Sequence, residues 1–303
     1  MVQDFGTIGV PALRSFSAVA RHGGISAAAR RMGMAKSGVS RHIALLETHF
    51  GVRLLERGAR SVKLTPVGAR LDLRIRSILA EIDLLDDIAR EESVGISGQV
   101  NIAATPEFGG LVATTLFPIV QAEHPDVRFV LRTGYAFEDM QDPSTDIAFR
   151  VGTFNDDRLV ARQLGAFRVW PVAAPGFLRV HPVKSPMDLS QVPCLVFRGD
   201  RTTTRWRLEN GTDNIAVDVS GPMAVRSFTI LFELAVAGHG VAFLPDFMLQ
   251  DALRAGVLER CVPGYTSFPL PVYLSYRPGA RRIARLDATI DLAERHVPCL
   301  LSA

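Results

Sequence analysis

Cysteine is scarce. The 303 residues contain three, Cys194, Cys261 and Cys299, far apart, with neither CxxC nor a histidine at ligand spacing. That excludes a zinc ribbon and a secreted disulfide framework, and leaves the thiols as buried structural ones. No apolar run reaches the ~20 residues that span a bilayer. The stretch Met1 to Arg14 lacks the charged-then-apolar order of a secretory leader, so a cytoplasmic protein without membrane contact is expected. The seven histidines are scattered, and neither HExxH nor a GxSxG elbow occurs. Gly238-His239-Gly240 begins like a dinucleotide fingerprint, but it precedes a strand and has Phe243 where the third glycine belongs. It reads as a helix stop. No internal repeat or low-complexity tract is present. Nothing points to a metal, a cofactor or a catalytic group, and a non-enzyme is expected; an α/β enzyme is the rival class.

What is present is a large apolar fraction, 48%, enough for two or three domains with sizeable cores. Net charge is only +3, but it is unevenly spread. Residues 1–65 carry ten Lys/Arg against three acids, a net +7, and the remainder is net −4. A basic head on a mildly acidic body is the electrostatic footprint of a nucleic-acid-binding module joined to something else. The alternative is an α/β small-molecule-binding protein whose basic head serves another purpose, such as protein docking, without DNA regulation.

Within that head, Pro11 to Arg21 predicts a helix ended by His22-Gly23-Gly24. Ser26 is placed to cap a second, rich in small residues. After a turn at Gly33 to Ala35, a third helix places Val39, Ile43, Leu46 and Phe50 on one face. Its other face starts with Lys36, Ser37, Ser40 and Arg41, short or cationic donors where a helix-turn-helix touches phosphates and major-groove base edges. Ser26 is grouped with these as a DNA-facing residue. Val52 to Thr65 predicts a basic hairpin, a wing carrying Arg53, Arg57, Arg60 and Lys63 for sugar-phosphate contact. Thr65-Pro66 starts a long helix to about Glu92, with Leu71, Ile75, Ile78, Ile82, Leu85 and Ala89 as a heptad seam. That seam is expected to pair two chains.

Beyond a Gly95-Ser97-Gly98 joint, strands alternate with helices: Val100–Ala104, Leu111–Ala122, Val127–Leu131, Asp146–Val151, then a second series from Arg168, with Val272–Tyr276 and Arg281–Arg295 returning to the first. This predicts parallel sheets in two α/β lobes joined by two crossings around a cleft. Ligands sit beyond strand carboxyl ends, near helix N-termini. That selects Thr105, Pro106, Glu107, Phe108, Tyr135, Arg150, Phe197, Arg198, Thr203, Ser227 and Phe228. Thr, Ser and Arg can hold a carboxylate, and the aromatics can wall an aromatic body. Thr105 and Ser227 can equally cap helices, the phenylalanines can be core, and Glu107 disfavours a nearby anion.

The order Ser26-Ala27-Ala28-Ala29, Lys36-Ser37-Gly38-Val39-Ser40-Arg41, Leu45-Leu46-Glu47, Gly51-Val52-Arg53-Leu54-Leu55-Glu56-Arg57 and Leu64-Thr65-Pro66-Val67-Gly68 resembles the LysR-type transcriptional regulators. A weaker likeness continues through His124-Pro125-Asp126-Val127, Asp146 to Gly152 and Ala237 to Pro245. The resemblance implies an α/β protein overall. It would comprise a winged helix-turn-helix (1–65), a linker and dimerisation helix (66–94) and a two-lobed, periplasmic-binding-protein-like effector domain (95–303; lobe I about 99–152 and 265–303, lobe II about 153–264). It further implies a homo-oligomer, dimer or tetramer, on double-stranded promoter DNA, with a small-molecule effector in the cleft and RNA polymerase as a further partner. Two positions depart from the family pattern. Ala35 stands where a capping Ser is usual, and Leu55 where Phe is usual, a core swap of small cost.

Overall fold

The computed structural model describes residues 8–57, 62–135, 144–154, 156–197 and 201–301. The first compact unit holds Met1–Gly95, and the second holds Ile96–Met140 and Thr145–Ala303.

The first unit runs α1 (Val10–His22), α2 (Ile25–Met32), α3 (Lys36–Phe50), β1 (Leu55–Arg57), β2 (Val62–Leu64) and α4 (Pro66–Val94). Gly23, Gly33 and Gly51 end the three short helices in the left-handed conformation that glycine adopts without strain. Phe16, Val39, Ile43, Leu46 and Leu54, each 0% exposed, form its core with Ala28, Ala29, Ile75 and Leu79. The small residues of α2 are what let the helices approach. Ser26 does not cap α2: Gly24 takes the cap position, no side chain bonds the helix start, and Ser26 lies inside the first turn. Ala35 likewise caps α3 without a side-chain bond.

Glu47 ties the end of α3 to the wing. Its Oε1 accepts from Leu54 N at 2.8 Å and Leu55 N at 3.2 Å. Thr65 caps α4, its Oγ1 accepting from Gly68 N at 2.9 Å and donating to Arg53 O at 2.9 Å.

The seam on α4 divides. Ile75 (3% exposed) enters the unit's own core with Leu71 packed against it, beside Leu79 (8%), which lies outside the predicted seam, whereas Ile78 (49%) and Leu85 (67%) face outward. Ile82 is half-buried. The physical reason is width: a stripe of this composition spans more of the helix surface than one contact needs, and α1 takes one flank. Arg14 of α1 and Asp83 of α4 pair at 2.5 Å beside it.

The second unit contains β3 (Gly98–Ala104), α5 (Pro106–Glu123), β4 (Val127–Thr133), β5 (Ile147–Val151), β6 (Val160–Phe167), β7 (Val169–Ala173), α6 (Pro175–Val180), β8 (Cys194–Phe197), β9 (Thr203–Glu209), β10 (Asn214–Ser220) and β11 (Ala224–Val225). It continues through α7 (Phe228–Val236), β12 (Val241–Pro245), α8 (Gln250–Arg254), β13 (Glu259–Arg260), β14 (Leu270–Tyr276) and α9 (Ala284–Leu301). Two five-stranded sheets result, ordered β4-β3-β5-β14-β6 and β11-β8-β12-β7-β13. They are mixed rather than parallel: β14 runs antiparallel to β5 and β6, and β7 antiparallel to β12 and β13.

The first sheet also extends further than the sequence suggests. The sequence pattern places Val160–Phe167 beyond the crossing, yet it forms an edge strand on β14. An edge strand tolerates Arg162 and Gln163, which mask its strand character. The crossing therefore falls at Arg168, where the two connections are tied together. Val169 N donates to Ser267 Oγ at 2.8 Å, and Ser267 N donates to Val169 O at 2.8 Å. Arg168 Nη1 donates to Thr266 Oγ1 at 3.0 Å, to Ser267 O at 2.8 Å and to Glu209.

Candidate nucleic-acid face and effector cleft

The first turns of α3 sort their side chains as a reading helix requires. Val39, Ile43 and Leu46 are wholly buried, while Lys36, Ser37 and Arg41 are exposed and Ser40 is half-buried. Ser26 on α2 and Arg53 before β1 are also exposed. In the wing, β1 and β2 pair antiparallel with Arg57 opposite Val62, and Lys63 is exposed. Arg60 lies outside the described residues. His42, just beyond the exposed turn, is held by Ser15, with Oγ and Nδ1 2.7 Å apart. That contact fixes the rotation of α3 against α1.

In the second unit, α5 follows the carboxyl end of β3 and α7 follows that of β11, and their N-termini meet. Glu107, in the first turn of α5, is the joint. Its Oε1 accepts from Tyr135 OH at 2.5 Å, Phe228 N at 2.9 Å and Thr229 N at 3.2 Å. Ser227 caps α7, its Oγ accepting from Ile230 N at 3.3 Å. Burial and the Glu107 carboxylate hold the Tyr135 phenol well above its usual pKa. Tyr135 meets Phe197 edge-on at 5.2 Å, and Phe197 stacks on Phe228 at 4.1 Å.

Five sequence-selected residues, Glu107, Tyr135, Phe197, Ser227 and Phe228, thus converge, with Thr105 and Pro106 at the start of the same helix α5. Thr105 occupies its cap position without a side-chain bond. Others go elsewhere. Phe108 is 1% exposed, its ring 5.6 Å from that of Phe149 and 6.0 Å from that of Phe247, so it belongs to the core. Arg150 is buried within β5, its guanidinium 5.3 Å from the Phe154 ring. Burial lowers its pKa and the neighbouring Asp156 charge opposes that. Thr203 does not follow β8 into a cleft; it is exposed at the start of the β9–β10 hairpin, opposite Ser220. Arg198 lies outside the described residues.

Sequence reading missed three contributors. Thr229 supplies an amide. The Arg226 guanidinium lies 5.8 Å from the Tyr135 ring. Phe247 closes on Phe108 and, at 5.1 Å, on Phe167. Phe247 follows the carboxyl end of β12, so the strand-end rule that selected the other residues reaches it too.

Two of the three cysteines are buried structural thiols as expected; the third, Cys299, is free and exposed on α9. Cys194 and Cys261 are free and buried, and desolvation pushes both thiols up to about 12. Among the described residues no cluster of His, Cys, Asp and Glu suits a metal ion, and no helix is long and apolar enough to cross a membrane.

Comparison with known proteins agrees with this layout. Residues 11–69 match the profile of the bacterial regulatory helix-turn-helix proteins of the lysR family, and residues 93–298 match the LysR substrate binding domain. The chain belongs to the LysR family of transcriptional regulators. As a LysR-family protein it joins a DNA-binding helix-turn-helix to an effector-binding domain, and it is a regulator rather than an enzyme. It is 29% identical over 288 residues to the HTH-type transcriptional regulator PtxR of Pseudomonas aeruginosa, covering 94% of this chain and 92% of that one. Its fold is similar to that of full-length AphB, the Vibrio cholerae virulence activator, with TM-score 0.65 and 23% identity, covering 94% and 98% of the two chains. A full-length OxyR variant of Pseudomonas aeruginosa matches with TM-score 0.70 and 16% identity, covering 95% of each chain.

Proposed function

We propose that this LysR-family regulator reads promoter DNA with the N-terminal turns of α3. Residues 1–65 serve as the winged reader, 66–94 as linker and dimerisation helix, and 95–303 as the effector-responsive part. The observation that carries this reading is the division of α3, in which Lys36, Ser37 and Arg41 are exposed while the opposite face is fully buried. Lys36, Ser37, Ser40 and Arg41 reach base edges and phosphates. Ser26 and Arg53 contact the backbone from the flanks, and Arg57 and Arg60 do so from the wing. The outward flank of α4, Ile78 and Leu85 with Ile82 at its margin, pairs two chains, and a homo-oligomer then sets two readers on one site. Ile75, and Leu71 packed beside it, serve the reader's own core instead.

A small-molecule effector binds between the two sheets, where Glu107, Tyr135, Phe197, Ser227 and Phe228 converge. It acts only through different affinity for the open and closed arrangements. Of the two ligand types suggested by the residues, an aromatic metabolite suits the walls better than a carboxylate does. The protein works in the cytoplasm, with RNA polymerase as the partner that its bound state recruits or blocks.

The test begins with sequencing the genomic fragments that the purified protein retains. Arg41→Ala then weakens the recovered operator by about 1–3 kcal/mol relative to random DNA, because a base-reading contact is lost. Arg57→Ala weakens all sequences alike and lowers the salt slope by about 0.9, one phosphate contact's worth. An unchanged operator-to-random ratio in Arg41→Ala rejects the base-reading role.

A further inference from the structure

The start of α7 is a place suited to an anion, and the chain fills it itself. A helix start leaves its first amides without intrahelical partners, and they favour a negative charge. Here those groups are taken. Phe228 N and Thr229 N donate to Glu107 Oε1 at 2.9 and 3.2 Å, and Ile230 N donates to Ser227 Oγ at 3.3 Å. The acceptor comes from 121 residues away in sequence, on the helix of the other sheet, and Tyr135 OH pins it at 2.5 Å. Glu107 thus stands between two helix N-termini, its own and that of α7, and both favour the charge. Its second oxygen, Oε2, is buried and makes no hydrogen bond. A buried carboxylate oxygen without a donor is costly, and a ligand that brings a donor relieves that cost.

We infer that Glu107 is a resident carboxylate ligand of the α7 amides and sets the charge selectivity of the effector cleft. A free carboxylate finds no unoccupied donor at this helix start and meets a like charge. A ligand with a protonated amine keeps the Glu107 bonds intact, donates to Oε2, and lays its apolar body against Tyr135, Phe197 and Phe228, whose rings favour a cation. This rests on the reading of that cleft as the effector site, but not on DNA binding.

The test uses the full-length chain and a size-matched pair of probes, benzylammonium and benzoate, read by thermal unfolding at constant ionic strength. In the wild type, benzylammonium raises the transition at least as much as benzoate does. Glu107→Ala lowers the ligand-free transition by roughly 3–8 °C, since charge-assisted bonds are lost. In Glu107→Ala the order of the probes inverts, because the vacated amides accept benzoate. The same order in both proteins, a wild type that prefers benzoate, or no shift by either probe in Glu107→Ala overturns the inference. Should the alanine variant not fold, Glu107→Gln keeps the shape without the charge, and the amide protons of Phe228 and Thr229 move upfield. Unmoved signals there overturn it equally. A wild type that retains no genomic fragment, with the probe order still inverting in Glu107→Ala, would sink the regulatory reading alone.

Discussion

Gly68→Ala abolishes DNA binding while leaving the substrate-binding unit folded. Helix propensity alone predicts the reverse, since alanine is better than glycine in a helix by about 1 kcal/mol. The packing decides otherwise. A Cβ on Gly68 would lie 2.1 Å from Leu54 O, 3.0 Å from Leu54 C and 3.2 Å from Thr65 Oγ1. The obstacle is backbone, not the end of a flexible side chain, and it has nowhere to go. Leu54 is 0% exposed, its N–H is held by Glu47 at 2.8 Å, and its carbonyl accepts from Thr65 N at 3.0 Å. The start of α4 must move off the wing, which uncaps α4 and withdraws support from Leu55, Ile75 and Leu79. Overpacking of this severity costs roughly 3 kcal/mol or more, a large part of a domain's stability. Hydrogen exchange is the measurement. Peptides from 10–57 and 62–75 lose protection, and those from the two sheets of the second unit keep it. Wild-type protection around Leu54 in the variant would show that α4 does not start against that carbonyl.

Much of this junction is legible in the sequence because its causes are local. Apolar spacing of three and four separates the buried from the exposed face of α3, and Thr65-Pro66 announces a capped helix through a bond spanning three residues. The alternation on β9 and β10, with Trp206 and Leu208 inside and an Asn210-Gly211 turn, is equally local. Sequence reading nevertheless places no strand between Phe197 and Ser227 and takes the start of β9 for a ligand loop around Thr203, because the threonines there outweigh the alternation that follows. The stripe on α4 is visible, but not its division, since nothing in one helix says how wide a contact α1 takes. Opaque altogether are the long-range bonds. Glu107 meets Phe228 across 121 residues, and Arg168 meets Thr266 across 98. Register alone reveals neither, and the crossing point moves for the same reason: β6 is a strand only because β14 returns to pair with it.

Phe108 shows where local reasoning fails outright, and it makes the second large prediction. It follows Glu107 in the first turn of α5, so the rule that ligands lie near helix starts selects both. Adjacent residues on a helix point about 100° apart, however, and only one of them faces the joint. Phe108 turns inward, 1% exposed, between Phe149 of the first sheet and Phe247 in the turn just past β12 of the second. Phe108→Ala therefore destabilises the second unit by about 3–5 kcal/mol, the cost of lost transfer plus a cavity, against at most a few tenths regained in helix propensity. Its thermal transition falls by roughly 6–20 °C. Because the void is lined by apolar groups, it stays dry and takes up a small hydrocarbon, so saturating benzene restores part of the loss. Phe247 also packs on Phe167 at the crossing, so the same substitution loosens one sheet against the other without touching the Glu107 bonds. A stability change under about 1 kcal/mol, well short of a core deletion, would return Phe108 to the cleft as a ligand wall and place the aromatic floor of the effector site one residue further along α5.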